Sequence, residues 1–317
     1  MKIFVAGGTG VLGRATLRAL ASTSHDICST ARGSERATLV TSLGAKPVAV
    51  DLYDLNSVRK AIAGSDAVLR LTTRIPSLMK MRDSKAWDET IRLRTEGARI
   101  LVDAAIAEHV QVYVHESVTF VYRDGSDRWL DEGAPTDAGN SAILRGALEG
   151  EREALRFSDA GGRGVVLRFG GFYGPDAPST QDTLRMAQLR RLPQFGSGAN
   201  FFSSIYTVDA GRAVAAALHI PGGIYNVADD EPIRFHEYVD AVAEAARAQE
   251  PLHLPGFLGR WAFGEMWGYL SRSLRISNAK LKLASSWKPS VASAIFGWNL
   301  IASQLQRHAA SSYAMAH

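Results

Sequence analysis

Residues 1–13 read MKIFVAGGTGVLG, an apolar run that leads directly into a glycine-rich turn. The run at residues 3–6 predicts a buried strand, and the apolar spacing at residues 12–22 predicts a helix. Between them three glycines follow the pattern Gly-x-x-Gly-x-x-Gly, which lets backbone N–H groups and the positive end of the helix approach a pyrophosphate. This stretch predicts a dinucleotide-binding turn whose cofactor contacts are Gly7, Thr9, Gly10, Val11, Leu12 and Gly13.

The rest of the first half alternates short apolar runs with helical spacing. Strands are predicted at residues 26–30, 46–50, 67–71, 110–114 and 164–168, and helices at residues 35–43, 55–63, 88–108 and 141–159. Strands separated by helices indicate a parallel sheet covered on both faces, and the strand sequences alternate little, as such burial requires. We therefore predict the α/β class: a Rossmann-type doubly wound parallel sheet with a smaller, mostly helical C-terminal substrate lobe.

The pattern changes after about residue 170, where glycine and proline become frequent. A strand-like piece at residues 223–227 is expected to return to the sheet, and the tryptophan-containing remainder predicts a small helical lobe. The predicted NAD(P)-binding Rossmann domain comprises residues 1–170, joined by residues 204–228. The predicted substrate-binding lobe comprises residues 171–203 and 229–317.

Composition excludes several classes of protein. The 317 residues are 46% hydrophobic and 21% charged, with a formal net charge of +4, as in an ordinary globular protein. The sequence contains no run of Lys and Arg interleaved with aromatic residues, so we expect no nucleic-acid partner. The single cysteine, Cys28, excludes an intramolecular disulfide and a multi-cysteine metal site, so we expect no metal. No apolar stretch approaches the ~20 residues of a membrane span, and the chain starts directly with a strand, so we expect no membrane partner, no signal peptide and a cytoplasmic location.

The end of the second predicted strand bears on the choice of cofactor. A carboxylate there accepts hydrogen bonds from the adenosine ribose and favours NAD, but residues 29–33 read STARG and contain no acid. Arg32, helped by Ser29 or Thr30, could hold a 2′-phosphate, which favours NADP; an exposed loop arginine is the alternative, and NAD stays open. Asp51 could meet the adenine or cap the next helix. The further predicted cofactor contacts at strand ends are Leu52, Leu71, Thr72 and Thr73.

Several further motifs accompany the glycine turn and Asp51-Leu52. They lie at residues 101–105 (LVDAA), 121–122 (VY), 167–168 (LR), 173–175 (YGP), 208–210 (VDA) and 225–227 (YNV). Together these residues resemble the extended (atypical) short-chain dehydrogenase/reductase superfamily, specifically the NAD-dependent epimerase/dehydratase family, over nearly the whole chain. The resemblance implies that NAD or NADP binds between the strand ends and a C-terminal substrate lobe, in a family of which many members act on nucleotide sugars.

The residues that carry this family's chemistry are substituted in the chain. The resemblance implies a Tyr-x-x-x-Lys pair in which the Tyr transfers a proton and the Lys lowers the Tyr pKa. The positions of the family's Asn, Ser or Thr, Tyr and Lys hold Arg94, Val118, Ile143 and Ala147. The last two rest on aligning Glu151 with the family's helix glutamate; a register shifted by two gives Ser141 and Arg145 instead. The substitutions predict chemistry that is either lost or rebuilt.

Replacement groups are expected at the carboxyl ends of the strands, where α/β folds bind ligands. After the fifth predicted strand, His115 and Glu116 offer proton transfer, and Ser117 or Thr119 offers a hydroxyl. A structural role is the alternative for both His115 and Glu116. The phenols of Tyr122 and Tyr173 could also donate a proton, although the resemblance implies that residues at these positions form pocket walls. The predicted catalytic residues are Glu116, Ser117, Tyr122 and Tyr173.

These features leave three functions open. The first is an NADP-binding oxidoreductase or epimerase-like enzyme with a non-standard proton donor, acting on a sugar nucleotide or a secondary-metabolite ketone or alcohol. The second uses the same fold for non-redox acid–base catalysis, such as cyclisation, elimination or isomerisation. The third is a non-catalytic NADP-binding sensor or scaffold. The expected partner is a small-molecule substrate, which the aromatic residues after residue 170 suggest is apolar, and a homodimer is a candidate assembly.

Overall fold

The architecture is built around a parallel sheet that starts with the N-terminal strand. The computed structural model describes residues 1–77 and 80–315, with side chains as far as residue 306. The strands are β1 (Lys2–Ala6), β2 (Asp26–Thr30), β3 (Lys46–Val48), β4 (Ala67–Arg70), β5 (Val112–Val118), β6 (Trp129–Leu130), β7 (Arg163–Phe169), β8 (Gly171–Tyr173), β9 (Gln194–Phe195), β10 (Phe201–Phe202), β11 (Ser204–Tyr206), β12 (Gly223–Val227), β13 (Ile233–Arg234), β14 (His253–Leu254) and β15 (Arg275–Ile276).

Helices connect these strands and form most of the later part of the chain. They are α1 (Val11–Leu20), α2 (Ser34–Ser42), α3 (Leu55–Ile62), α4 (Asp88–Arg94), α5 (Glu96–Ala107), α6 (Ala142–Asp159), α7 (Pro178–Gln188), α8 (Thr207–Ala217), α9 (Phe235–Ala245), α10 (Gly256–Phe263), α11 (Trp267–Leu270), α12 (Ala279–Ala284) and α13 (Ala294–Met315). Short 3-10 segments lie at Ser84–Trp87, Thr119–Val121 and Gly264–Met266.

Within the described residues, the central sheet has seven strands in the order β12-β7-β5-β4-β1-β2-β3. Every neighbouring pair in it is parallel, with Ile3 opposite Ala67 and Val114 opposite Val165 near the centre. Because β1 lies between β2 and β4, the chain winds outward from β1 in both directions, and this switch point is where such sheets bind ligands. The predicted Rossmann-type doubly wound class is confirmed.

Helices cover both faces of this sheet. On one face α1 and α8 pack together, with Leu17 and Val214 buried against the strands. On the other face α3, α5 and α6 bury Val58, Leu101 and Phe157. Burial on two faces explains why the strand sequences are nearly continuous apolar runs.

Two predicted boundaries are wrong, and both affect the site. The predicted helix at residues 88–108 is two helices, α4 and α5, because Thr95 leaves the helical conformation with φ −100° and ψ −84°. The predicted fifth strand at residues 110–114 begins at Val112 and runs on to Val118, since β5 pairs with β7 as far as Val118 and Phe169. His115 and Glu116 therefore lie within the sheet instead of in a loop beyond it.

The later part of the chain adds small two-stranded sheets and helices. The predicted strand at residues 223–227 is β12, which pairs with β7 at the sheet edge. Helices α7, α9 and α13 share a buried cluster around Trp298, whereas Trp287 packs in the core of the large sheet. The division into domains at the stated residues stays a prediction. In the part of the chain that the structure describes, no helix combines the length and the apolar character needed to cross a bilayer.

Candidate active site

The glycine turn after β1 has a backbone that side chains would disrupt. Gly7 has φ +101°, and a Cβ there would lie 2.8 Å from the carbonyl oxygen of Leu71. A Cβ on Gly13 would lie 2.0 Å from the carbonyl oxygen of Gly7, so α1 can approach β1 only because Gly13 has no side chain. The N–H of Gly10 donates to that same Gly7 oxygen at 3.0 Å and closes the turn. The three predicted glycines thus have the geometric roles expected of a phosphate-binding turn.

The start of α1 can accept an anion. Gly10 is the N-cap, no side chain among the described residues caps the helix, and its first turn holds no acidic residue. The N–H groups of that turn, from Val11 onward, therefore stay available to phosphate oxygens. Beside the turn the hydroxyl of Thr72 is buried without a hydrogen-bond partner among the described residues. These features fit a dinucleotide, and the individual contacts, with those of Thr9, Leu12 and Thr73, stay predictions.

The residues at the end of β2 define the surroundings of Arg32. Thr30 accepts a hydrogen bond from the N–H of Gly7 at 2.9 Å, and Ser29 is fully buried, so both hydroxyls face the protein interior. Arg32 is exposed and has no carboxylate partner among the described residues. It is followed by Gly33, the N-cap of α2 with φ +82°. Arg32 is therefore placed to meet an exposed anion without help from Ser29.

The segment after β3 corrects one alternative. Asp54, not Asp51, caps α3, because the Asp54 carboxylate accepts from the N–H groups of Asn56 and Ser57. The exposed Asp51 accepts from the N–H of Tyr53 at 2.9 Å in a local turn. Leu52 packs partly buried against the core on the α3 face. Adenine contact by Asp51 and Leu52 stays a prediction.

Glu116 lies in a buried cluster of charges. Its carboxylate accepts from Nη1 of Arg70 and from Nη2 of Arg94, each at 3.1 Å, and all three side chains are at most 4% exposed. Burial, together with the two nearby arginines, holds the pKa of His115 well below its ordinary range, so its imidazole is neutral. Two guanidinium groups and one carboxylate leave a net positive charge here. The contacts of Glu116 favour a structural ion pair, and its proton-transfer role stays a prediction.

Ser117 belongs to a second buried network. Its hydroxyl donates to Oε1 of Glu151 at 2.5 Å. Arg168 holds the same carboxylate in a bidentate pair at 2.8 and 2.6 Å. Because Glu151 is in α6 and Arg168 is in β7, this network ties the helix to the sheet. The Ser117 hydroxyl is occupied within it.

The two predicted phenols are also bonded within the protein. The Tyr122 hydroxyl donates to Oδ1 of Asn226 at 2.8 Å, and burial raises the pKa of Tyr122 to about 12. The Tyr173 hydroxyl donates to Oδ2 of Asp229 at 2.9 Å, and burial raises the pKa of Asp229 to about 7. Both phenols are 0% exposed, so a ligand would have to displace protein contacts to reach them.

The positions at which the resemblance places the family's Ser or Thr, Tyr and Lys converge on one apolar cluster. Val118, Ile143 and Ala147 pack there with side chains from the lobe, from the segment before α4 and from the 3-10 segment after β5, among them Trp87, Phe120, Phe263, Met266 and Tyr269. The shifted register supplies no alternative pair, because Ser141 is the N-cap of α6 and Arg145 is exposed, donating to the carbonyl of Gly139. The side chains at these three positions are thus in hydrophobic contact, and their correspondence to the family's polar groups stays a prediction.

Comparison with known proteins identifies the family. A model described as the NAD dependent epimerase/dehydratase family matches residues 3–228. The 3-diazoavenalumate denitrifying reductase of a Streptomyces species is 31% identical over 300 residues, 91% of this chain and 96% of the relative. The 4-hydroxy-2-methyl-3-oxo-4-farnesyl-3,4-dihydroquinoline-1-oxide ketoreductase of Stigmatella aurantiaca is 27% identical over 257 residues, 77% of this chain and 73% of the relative. The solved structure of human epimerase family protein SDR39U1 with NADPH has a TM-score of 0.75 at 19% identity, covering 96% of this chain and 99% of that one.

The sheet and the glycine turn define a dinucleotide-binding protein of the Rossmann type. The chain belongs to the NAD-dependent epimerase/dehydratase family. The resemblance inferred from its motifs is thereby confirmed. With the family come a nicotinamide dinucleotide as cofactor and oxidoreductase or epimerase-like activity as the class of chemistry.

Several site residues were missed by reasoning from the sequence. Arg70 lies inside an apolar strand, where a single cation carries little signal until its partner Glu116 is placed. Tyr269 lies in an aromatic segment that reads as core, and nothing in its local sequence links it to β5 or α6. Both residues are identified only by contacts with residues that are distant in the sequence, and the sequence alone does not reveal those contacts.

Proposed function

We propose that the chain is an NADPH-dependent reductase of an apolar small molecule that carries a carbonyl group. The observation that carries the proposal is the apolar cluster of Val118, Ile143 and Ala147 at the carboxyl end of β5 and the start of α6. An apolar surface favours an apolar or aromatic substrate over a polar nucleotide sugar, whose hydroxyls would lose hydrogen bonds with water there.

The choice of NADPH rests on the end of β2. Arg32 is exposed, no carboxylate stands where NAD-selective proteins hold the ribose hydroxyls, and α2 begins two residues later. A guanidinium group binds a 2′-phosphate through charge-assisted hydrogen bonds. A bound NADPH would supply a hydride, and the chain's own residues would hold it through the turn of Gly7, Gly10 and Gly13.

The named relatives support reduction over the other reactions of the family. One is called a denitrifying reductase and another a ketoreductase, and the first spans nearly the whole of this chain. Both names specify a reductive reaction, and neither specifies a nucleotide sugar. We infer a reductase whose substrate specificity is set by the apolar cluster.

Cofactor binding is the first test. Titration of the purified protein with NADPH and with NADH, followed by tryptophan fluorescence, should show tighter binding of NADPH. Binding of neither nucleotide would remove the proposal altogether.

Turnover is the second test. Oxidation of NADPH should be followed with aromatic ketones, with aromatic diazo compounds and with UDP-glucose. We expect turnover with the aromatic compounds and none with UDP-glucose. Tight NADPH binding without reduction of any aromatic compound would instead favour the sensor or scaffold.

A further inference from the structure

The phenol of Tyr269 in α11 lies beside the positions from which the family's catalytic side chains are missing. It is 6% exposed and shares the apolar cluster with Val118, Ile143 and Ala147. Its ring centroid is 6.1 Å from that of Phe120, which follows β5. A residue of the lobe therefore brings a phenol to the place where α6 has none.

The hydroxyl of Tyr269 is free to bond a ligand. It has no hydrogen-bond partner in the part of the chain whose side chains the structure describes, unlike Tyr122 and Tyr173. Its oxygen is not among the fully enclosed polar atoms that lack a partner, so the hydroxyl lies at the surface of the cluster, within reach of solvent or a ligand. A molecule bound against the cluster can therefore accept a hydrogen bond from this phenol without breaking a contact within the protein.

The charges that face Tyr269 suit a proton donor. Burial raises the pKa of Tyr269, the carboxylate of Glu265 raises it further, and the guanidinium of Arg94 lowers it. The phenol is protonated at neutral pH and has a proton to give. Arg94 stabilises the tyrosinate that remains, as the lysine of the family does for its tyrosine. Arg94 occupies the position at which the resemblance places the family's Asn. The positive charge gained at that position therefore acts on the phenol of Tyr269.

We propose that Tyr269 is the proton donor of this reductase, and this inference rests on the proposed function. As a hydride from NADPH forms the new C–H bond, the electron pair of the carbonyl π bond moves to the oxygen. The O–H bond of Tyr269 breaks, and its proton forms the new O–H bond of the alcohol product. The tyrosinate then takes a proton from water. Two electrons and two hydrogens are thus added to the carbonyl group, and NADPH is the species oxidised.

The first test needs no turnover and no cofactor. The aldehyde 4-(dimethylamino)cinnamaldehyde absorbs at longer wavelength when a donor bonds its carbonyl oxygen, because excitation moves charge onto that oxygen. Mixing it with the wild-type protein should give a red shift that Tyr269→Phe abolishes. Equal spectra for the two proteins, whether shifted or not, would overturn the assignment.

The second test uses an aromatic ketone that the wild-type protein reduces. Tyr269→Phe should lower kcat by about 100-fold or more, in the range of a lost general acid, while the Kd of NADPH stays unchanged. Tyr225→Phe is the matched control, because the Tyr225 hydroxyl donates to the Pro221 carbonyl away from the cluster, and its kcat should not change.

A readout of stability separates the proposal from a structural role. Because the Tyr269 hydroxyl has no partner to lose, Tyr269→Phe should leave the thermal unfolding midpoint unchanged or raise it. A lowered midpoint with unchanged kcat would assign Tyr269 to packing and refute proton donation. If NADPH does not bind at all, the proposed function fails before this one, so the two failures are distinguishable.

Discussion

The candidate site has two halves, one formed mainly by backbone groups and the other by side chains. Around β1 and β2 the groups placed to meet a cofactor are mainly backbone: the turn of Gly7, Gly10 and Gly13, the first N–H groups of α1, and one exposed arginine, Arg32. Around β5 and α6 the groups predicted to be catalytic are side chains. There the polar groups that the sequence points to are bonded within the protein, such as Glu116 to two arginines and Ser117 to Glu151.

The difference shows which functional features can be predicted from residues that are neighbours in the chain. A backbone turn is encoded by residues that are neighbours in the chain, because glycine alone satisfies its geometry. A side chain's chemistry depends on what it contacts, and those contacts come from distant segments. Glu116 was predicted to be catalytic and is held in an ion-pair cluster, whereas Tyr269 was missed and its hydroxyl has no hydrogen-bond partner among the described residues.

The largest expected effect lies in the second half of the site. Glu116→Gln should lower the free energy of unfolding by about 3–5 kcal/mol, because two buried guanidinium groups lose their only carboxylate among the described contacts. Urea unfolding measures this loss. Glu96→Gln is the control: its pair with Arg92 is exposed and screened by water, so the urea midpoint should hardly change.

The Glu116→Gln variant also tests whether Glu116 is structural or catalytic. A catalytic Glu116 would give a folded, stable Glu116→Gln protein that binds NADPH and does not turn over. That result would restore proton transfer to Glu116 and break the contrast drawn between the two halves.

A smaller effect is expected in the first half. Arg32→Ala should weaken NADPH binding by about 10- to 100-fold and leave NADH binding unchanged, since only the 2′-phosphate contact is lost. Fluorescence titration of both nucleotides measures the change, and NADH is the internal control. Equal weakening of the two nucleotides would place Arg32 at a phosphate that they share and remove the reason for choosing NADPH.

The smallest effect concerns a phenol that is bonded within the protein. Tyr173→Phe removes the hydroxyl that donates to Asp229 at 2.9 Å and should cost about 1 kcal/mol of stability. Reduction of the aromatic ketone should continue at the wild-type rate, in contrast to Tyr269→Phe. Thermal unfolding and kcat, measured on both variants, sharpen the distinction between a bonded and a free hydroxyl. A loss of turnover in Tyr173→Phe with normal stability would reverse it.

Much of the fold follows from local pattern. The strand predicted at residues 26–30 is β2 with the same bounds, and the helix predicted at residues 141–159 is α6 with Ser141 as its cap. The two failures have different causes, one tertiary and one in the local backbone. Pairing with β7 extends β5 to Val118, and the conformation of Thr95 divides one apolar helical pattern in two.

The candidate site was predictable only in part. The glycines of the turn and Arg32 lie where their sequence positions suggest, although the cofactor contacts themselves stay predictions. The substitution of the family's catalytic residues stays a prediction, which needs only the motif and its register. The replacement was not visible, since Tyr269 is far from Val118 in sequence and reaches it only through the packing of α11.

By itself the sequence determined the doubly wound sheet, the glycine turn after its first strand and the family to which the chain belongs. These depend on periodicity, on glycine geometry and on residues close together in the chain. Tertiary structure alone decided the surroundings of each polar group: a positive cluster around Glu116, bonded hydroxyls at Ser117, Tyr122 and Tyr173, and a phenol at Tyr269 that bonds none of the described residues. The physical reason is that burial and charge act through space, so a group's acidity and its partners are properties of the packed fold.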